Sequence, residues 1–263
     1  MSSLVTKVRL RQIEQLIEKG KRLDDRGLLD TREIKIEPGL IEKAEGSARV
    51  FLGKTEVLVG VKVGLGEPFP DTPNDGVLTV NAELVPLASP NFEPGPPDEN
   101  SIELARVVDR GIRESKCVDT EKLCIEPGKK VFVVFVDIYV LNHDGNLIDA
   151  AALAAMAALI NTKMPNYEIK DGELKMKQGY TQLPLKSHPI TVTTGKINNR
   201  LITDPWIEEE QIMDSRITFA TKEDGTICAI QKGGSGYFTP QQILEASKIA
   251  LDKAAELRKK LDW

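Results

Sequence analysis

Apolar residues first recur at helical spacing. Val5, Val8, Ile13, Leu16 and Ile17 predict an amphipathic helix from about Val5 to Lys19, with Gly20 as its natural stop. The charged stretch KRLDDRGLLDTR interrupts the pattern, and the period then falls to two, with Ile34 and Ile36 on one face of REIKIE. SARVFLGKTEVLVGVKV reads as two strands around a Gly53-Lys54-Thr55 turn, and VLTVNAEL alternates Leu78, Val80, Ala82 and Leu84, which together predict an antiparallel sheet. Gly and Pro make loops of GLGEPFPDTPNDG and PLASPNFEPGPPDEN. The second loop runs straight into a helix, so no domain boundary is expected there.

The run VFVVFVDIYVL, residues 131–141, is almost wholly apolar and β-branched or aromatic, the pattern of a strand covered on both faces. An alanine-dominated helix follows from about Ile148 to Asn161; alanine has the best helix propensity and lets a neighbour approach closely. Further strands are predicted at ITVTT, RLIT, RITFA and TICAIQK, the last two flanking a Glu223-Asp224-Gly225 turn. The closing helix carries its own start signals: Thr239 as N-cap, Pro240 at the first helical position and Gln242 completing a capping box. Its expected buried stripe is Ile243, Ala246, Ile249, Ala250, Leu257 and Leu261. This order predicts an α+β fold, mixed sheets packed with helices in one compact domain spanning residues 1–263.

Charge narrows the function. With 35 Lys and Arg against 40 Asp and Glu, the net charge is −5, which argues against a broadly basic nucleic-acid binder; any such contact must be local. The longest low-charge run, Ala150 to Thr162, is too short to cross a bilayer, and the first twenty residues carry charge throughout with no signal-peptide centre, so a cytoplasmic chain without membrane contact is expected. Three cysteines and two histidines offer neither a disulfide framework nor a Cys-based zinc site, and no G-x-S-x-G elbow accompanies His143 or His188; no cofactor and no metal are expected.

One local basic feature stands out. In ELARVVDRGIRES, residues 103–115, Arg106, Arg110 and Arg113 fall within about 60° of each other at ~100° per residue, opposite Leu104, Val108 and Ile112. Glu103, Asp109 and Glu114 stand at pairing distance along the helix, which fits a merely solvated face. Arginine at all three positions also fits a phosphate track, because its planar fork matches phosphate oxygens in a way that lysine does not.

The order of segments resembles the RNase PH family. It is carried by GKRLDDRGLLDTREIKIEPG, the hairpin with TEVLVGVKVG, the arginine helix after a Pro/Gly-rich loop, VDIYVLNHDGN running into an Ala-rich helix, and LITDPWIEEEQIMDSRITFATKEDGTICAIQKGGSG. The resemblance covers nearly the whole chain, and the branch it resembles most is the non-catalytic RNase PH-like subunit of the archaeal exosome. It implies phosphorolysis, in which inorganic phosphate attacks the last phosphodiester of an RNA 3′ end. It also implies partners: a catalytic RNase PH-like exosome subunit, as a heterodimer whose three copies close a hexameric ring, cap subunits with OB-fold or KH domains, and single-stranded RNA.

The catalytic branch continues its Asp-Gly with a small hydroxyl residue and an arginine that cradle phosphate. Here Leu147 and Ile148 follow His143-Asp144-Gly145-Asn146, and an apolar pair would strip an anion of water without replacing its donors. That branch also carries two aspartates six apart, whereas Glu210 and Asp214 lie four apart and align only with a deletion. The resemblance therefore implies a silent subunit whose Arg106, Arg110 and Arg113 bind RNA in a neighbour's site. The alternatives are an independently active phosphate-dependent exoribonuclease using Glu210 and Asp214, and an interaction protein whose arginines only make salt bridges. Lys21, Arg22 and Arg26 are read as structural or subunit contacts rather than RNA contacts, the loop from Gly64 to Gly76 as lacking an RNA role, Asp204 and QKGGSG as structural, and His143 as a polar turn residue.

Overall fold

The computed structural model describes residues 4–170 and 173–261. The chain opens with α1 (Leu4–Glu18), then β1 (Ile34–Pro38), β2 (Gly46–Leu52), β3 (Thr55–Gly66) and β4 (Val77–Leu84). The arginine helix is α2 (Glu99–Glu114); β5 (Cys124–Glu126), β6 (Lys130–Asn142) and α3 (Leu147–Ile160) follow. A hairpin of β7 (Lys163–Lys170) and β8 (Glu173–Gln182) leads to β9 (Ile190–Ile197) and β10 (Arg200–Thr203). The last elements are α4 (Ile207–Glu210), β11 (Ser215–Thr221), β12 (Ile227–Gly233) and α5 (Pro240–Arg258).

The first sheet runs β1-β2-β3-β6-β4, with β5 also paired to β6; the second runs β10-β9-β11-β12. The antiparallel reading holds for β1, β2 and β3. It fails for β4, which pairs with β6 in parallel through Leu78↔Val134 and Ala82↔Ile138. The later strand β6 has entered between β3 and β4, an order that alternation within VLTVNAEL cannot encode. The β7–β8 hairpin was not read from the sequence, although the Asp-Gly between Lys170 and Glu173 was a hairpin signal.

Between the sheets sits α3. Ala151, Ala154, Ala155 and Ala158 are fully buried, and one apolar core joins Val57 and Val59 of the first sheet to Val192 and Phe219 of the second. Ile13 and Ile17 of α1 are buried against Ile197 and Ile202, so the first helix packs on its own chain. In α2, Asp98 caps the first turn by accepting from the Ser101 N–H at 2.8 Å, and Leu104, Val108 and Ile112 are buried as expected. The capping box of α5 forms, with Thr239 Oγ1 accepting from the Gln242 N–H at 3.2 Å and Gln242 Oε1 accepting from the Thr239 N–H at 2.9 Å.

Two burial expectations need correction. Ile243 is 38% exposed, because the stripe of α5 that meets the core is made by Ala246, Ala250, Ala254 and Leu257. Strand β6 is covered on both faces only from Val131 to Val134; beyond that Phe135 and Tyr139 are 37% and 39% exposed, because α3 covers one face of the sheet and the described residues leave the other open there.

Candidate functional site

Strand β6 delivers the chain to a tight turn at the start of α3. Gly145 has φ +89°, and a Cβ there would lie 2.5 Å from the Pro205 carbonyl oxygen, so this turn is pressed against the segment after β10. Asn146 follows in the left-handed region at φ 52°. Its N–H donates to Glu210 Oε1 at 2.8 Å, and its Nδ2 donates to Asp149 Oδ2 at 2.9 Å and Asp204 Oδ1 at 3.0 Å. Asn146 thus ties the start of α3 to three carboxylates. No sequence signal pointed to it beyond its place before an apolar helix.

Asp204 is structural, as its place at a strand end suggested. It is buried and accepts from the N–H, Nε and Nη2 of Arg32 at 2.8, 2.9 and 2.7 Å, and from Arg26 Nη1 at 3.0 Å. Arg22 is buried too. Its Nε and Nη2 donate to Glu209 at 2.9 and 2.5 Å and its remaining donors reach the Thr203 and Asp204 carbonyls. Arg22 and Arg26 therefore make contacts within this chain, and Lys21 is exposed.

A cavity of about 330 Å³ opens beside the N-terminus of α3, with His143, Asn146, Leu147, Ile148, Glu210 and Arg216 in its wall. The His143 ring stacks on Phe92 at 5.5 Å between centroids, and burial, helped by Arg32, holds its pKa below the usual value. Burial pushes the Glu210 carboxyl up to about 7 against the Asn146 N–H and the charges of Arg216 and Arg32. Burial likewise pushes Asp149 up to about 7, although Thr193 donates to it from N–H and Oγ1 at 2.9 and 2.7 Å. Burial also opposes ionisation of Asp204, but Arg32 and Asn146 outweigh it and its pKa lies below the usual value.

These directions give a pH prediction. An acid whose pKa rises on folding keeps its proton in the native state while the unfolded chain has lost it, so its contribution to stability falls as pH rises from about 4.5 to about 7. Glu210→Gln retains an acceptor for the Asn146 N–H without a titrating group. Urea unfolding between pH 5 and pH 8 is expected to show a shallower loss of stability in Glu210→Gln than in the wild type. Equal slopes would place the Glu210 carboxyl in water. Asp204 does not interfere, since its contribution is lost only as pH falls below the usual carboxylate range.

The structure separates the two acids that the sequence placed four apart. Glu210 lines the cavity. Asp214 does not: it is exposed, its N–H donates to the Lys196 carbonyl, and its own carbonyl accepts from Gly236, where QKGGSG makes a backbone turn. Helix α4 ends at Glu210, so Asp214 lies beyond it, immediately before β11.

The arginines lie outside this cavity, on the exposed face of α2. Glu103 does not pair with Arg106; its carboxylate takes Arg216 Nη2 at 2.6 Å, joining α2 to β11. Among the described residues Arg106 and Arg110 have no hydrogen-bond or ion-pair partner. Arg113 is engaged. Its Nη2 donates to Asp109 Oδ1 at 2.7 Å and to the Leu78 carbonyl at 2.9 Å, on the open edge of β4. The arrangement thus offers two free guanidinium groups four residues apart, and a separate cavity whose helix N-terminus already faces a carboxylate. Among the described residues no cluster of His, Cys, Asp and Glu could hold a metal, and no helix is long and apolar enough to cross a membrane.

Two sheets joined through a buried alanine helix, with a cavity at that helix's N-terminus, define the fold. The profile described as 3′ exoribonuclease family, domain 1, matches residues 30–165 and that of domain 2 matches residues 187–253; the chain belongs to this RNase PH family. It is 57% identical to the exosome complex component Rrp42 of Pyrococcus horikoshii, over 94% of this chain and 91% of that one. It is 49% identical to Rrp42 of Methanothermobacter thermautotrophicus, over 98% and 96%. Among solved structures, a chain of the Archaeoglobus fulgidus exosome with RNA bound to the active site superposes with TM-score 0.92 and 48% identity, covering 99% of this chain and all of that one. Rice Rrp46, at 18% identity and TM-score 0.70 over 91% of this chain and 98% of that one, shares the fold.

Proposed function

We propose that this chain is the non-catalytic RNase PH-like subunit of an archaeal exosome ring in the cytoplasm. It pairs with a catalytic RNase PH-like subunit, completes that subunit's active site and grips single-stranded RNA during phosphorolytic 3′-to-5′ degradation. The observation that supports this best is the contrast between two anion seats. At the start of α3 the Asn146 N–H is taken by Glu210, Leu147 and Ile148 form the wall beside it, and Arg216 in the same wall is already paired with Glu103, so an entering phosphate would meet a carboxylate and an arginine that is not free. On α2, Arg106 and Arg110 face solvent with no hydrogen-bond or ion-pair partner among the described residues, the disposition expected of groups that serve a neighbour. Arg113 extends the same row, with its Asp109 and Leu78 bonds making it a lesser RNA contact. The segments matched by the two family profiles share α3 and one apolar core, which supports reading them as a single unit.

The test is phosphate-dependent release of nucleoside diphosphates from an oligoadenylate, by this chain alone and then mixed with a catalytic RNase PH-like subunit. None is expected from the chain alone, and stimulation is expected in the mixture. Release by the chain alone would overturn the reading in favour of an independent enzyme, and a mixture no faster than the partner alone would remove the ring role.

A further inference from the structure

One groove has no part in the reading above. It measures about 700 Å³ and lies between the proline-rich loop after β4 and the uncovered face of the first sheet. Glu83, Glu93, Asp98 and Asp137 line it together with Phe92 and Tyr139, and among the described residues no lysine or arginine does. Asp98 is committed to capping α2, which leaves three carboxylates facing the groove. Burial, together with Glu83 and Asp137, raises the Tyr139 pKa, so its hydroxyl stays protonated.

The groove also has a backbone wall. Strand β4 ends the sheet, and among the described residues no strand pairs with its outer edge. The Leu78 carbonyl points outward, since it accepts from Arg113, and strand alternation then turns the N–H and C=O groups of Val80, Ala82 and Leu84 outward too. Arg113 covers the first of these positions. The next five residues, Val80 to Leu84, offer an open edge ~17 Å long at ~3.4 Å per residue.

We propose that this groove docks an extended basic segment of a protein partner, which adds as a strand to the outer edge of β4 and sets its Lys or Arg side chains against Glu83, Asp137 and Glu93. Strand addition draws affinity from main-chain bonds and specificity from alternate side chains, and this edge supplies both. A nucleic acid is disfavoured here, because its phosphates would face carboxylates with no cation between them.

The probe is a fluorescent peptide alternating Val with Lys or Arg, titrated into the full chain by anisotropy beside the same peptide carrying Glu at the charged positions. The basic peptide is expected to bind, with affinity falling as salt rises, and the acidic one not to bind. Glu83→Lys with Asp137→Lys is expected to weaken binding at least tenfold and to flatten the salt dependence. Ala82→Pro removes an outward N–H, which an edge strand tolerates, and is expected to weaken binding while leaving the salt dependence unchanged. Thermal melts check that each variant is folded. Equal binding of both peptides, no binding of the basic one, variants that bind like the wild type, or oligoadenylate binding that the same variants abolish would each overturn the proposal.

Discussion

With Arg106 and Arg110 both replaced by glutamate, the ring assembled with its catalytic partner is expected to bind single-stranded RNA at least tenfold more weakly and to lose a similar factor in phosphate-dependent turnover at low RNA concentration. A hydrogen bond to a charged group contributes ~1.5–3 kcal/mol, and ~1.4 kcal/mol is a factor of ten, so two lost guanidinium–phosphate contacts suffice even after discounting for exposure. The salt dependence carries the sharper signature. Each phosphate contact to a single strand contributes ~0.7 to the slope of log affinity against log salt, so removing two should flatten it by ~1.4. Among the described residues neither side chain makes a hydrogen bond or ion pair, so the melting temperature of the isolated protein should stay nearly unchanged. Arg113→Glu should behave in the opposite sense, since it breaks the Asp109 pair and the contact with the edge of β4. Unchanged affinity and slope in the double variant would return the α2 arginines to the role of a solvated face.

The second large effect belongs to stability. Asp204→Ala removes the acceptor for Arg32, Arg26 and the Asn146 amide at once; Arg26 keeps Asp24 at 2.6 Å, but the largely buried Arg32 guanidinium is left with the more distant Asp144 carboxylate at 3.6 Å. Breaking a buried ion pair from one side costs ~3–5 kcal/mol, because the remaining charge keeps its desolvation penalty. Chemical denaturation should register a loss of that order. Asp204 also sits at φ 49°, where alanine is strained and asparagine is tolerated. Asp204→Asn separates the two causes: if charge dominates, it loses most of what alanine loses; if backbone strain dominates, it stays near the wild type. A loss below ~1 kcal/mol in both variants would mean that Arg32 finds enough support from the Asp144 and Gly145 carbonyls alone.

What could be read from the sequence by itself was what neighbouring residues decide together. The caps of α5 formed as Thr239, Pro240 and Gln242 predicted, because a cap is satisfied within one turn. The outward arginine row and the inward Leu104, Val108 and Ile112 followed from helical period alone, and the apolar pair at Leu147 and Ile148 stood in plain view at the start of the alanine helix. The segment order was also enough for the family, since it spans nearly the whole chain.

The tertiary structure decided everything that depends on partners far apart in sequence. Several strand orders would satisfy the same alternation, so only packing could place β6 between β3 and β4 and leave Phe135 and Tyr139 uncovered. Nearby opposite charges on a helix suggested pairs, yet Glu103 turned to Arg216, 113 residues away, and so left Arg106 free. Arg32 and Asp204 lie 172 residues apart, and no local pattern joins them. Glu210 and Asp214 looked like one acidic pair until the end of α4 sent them in different directions. A local pattern fixes the direction in which a side chain leaves the backbone; which group it meets there is set by the fold that brings distant segments together.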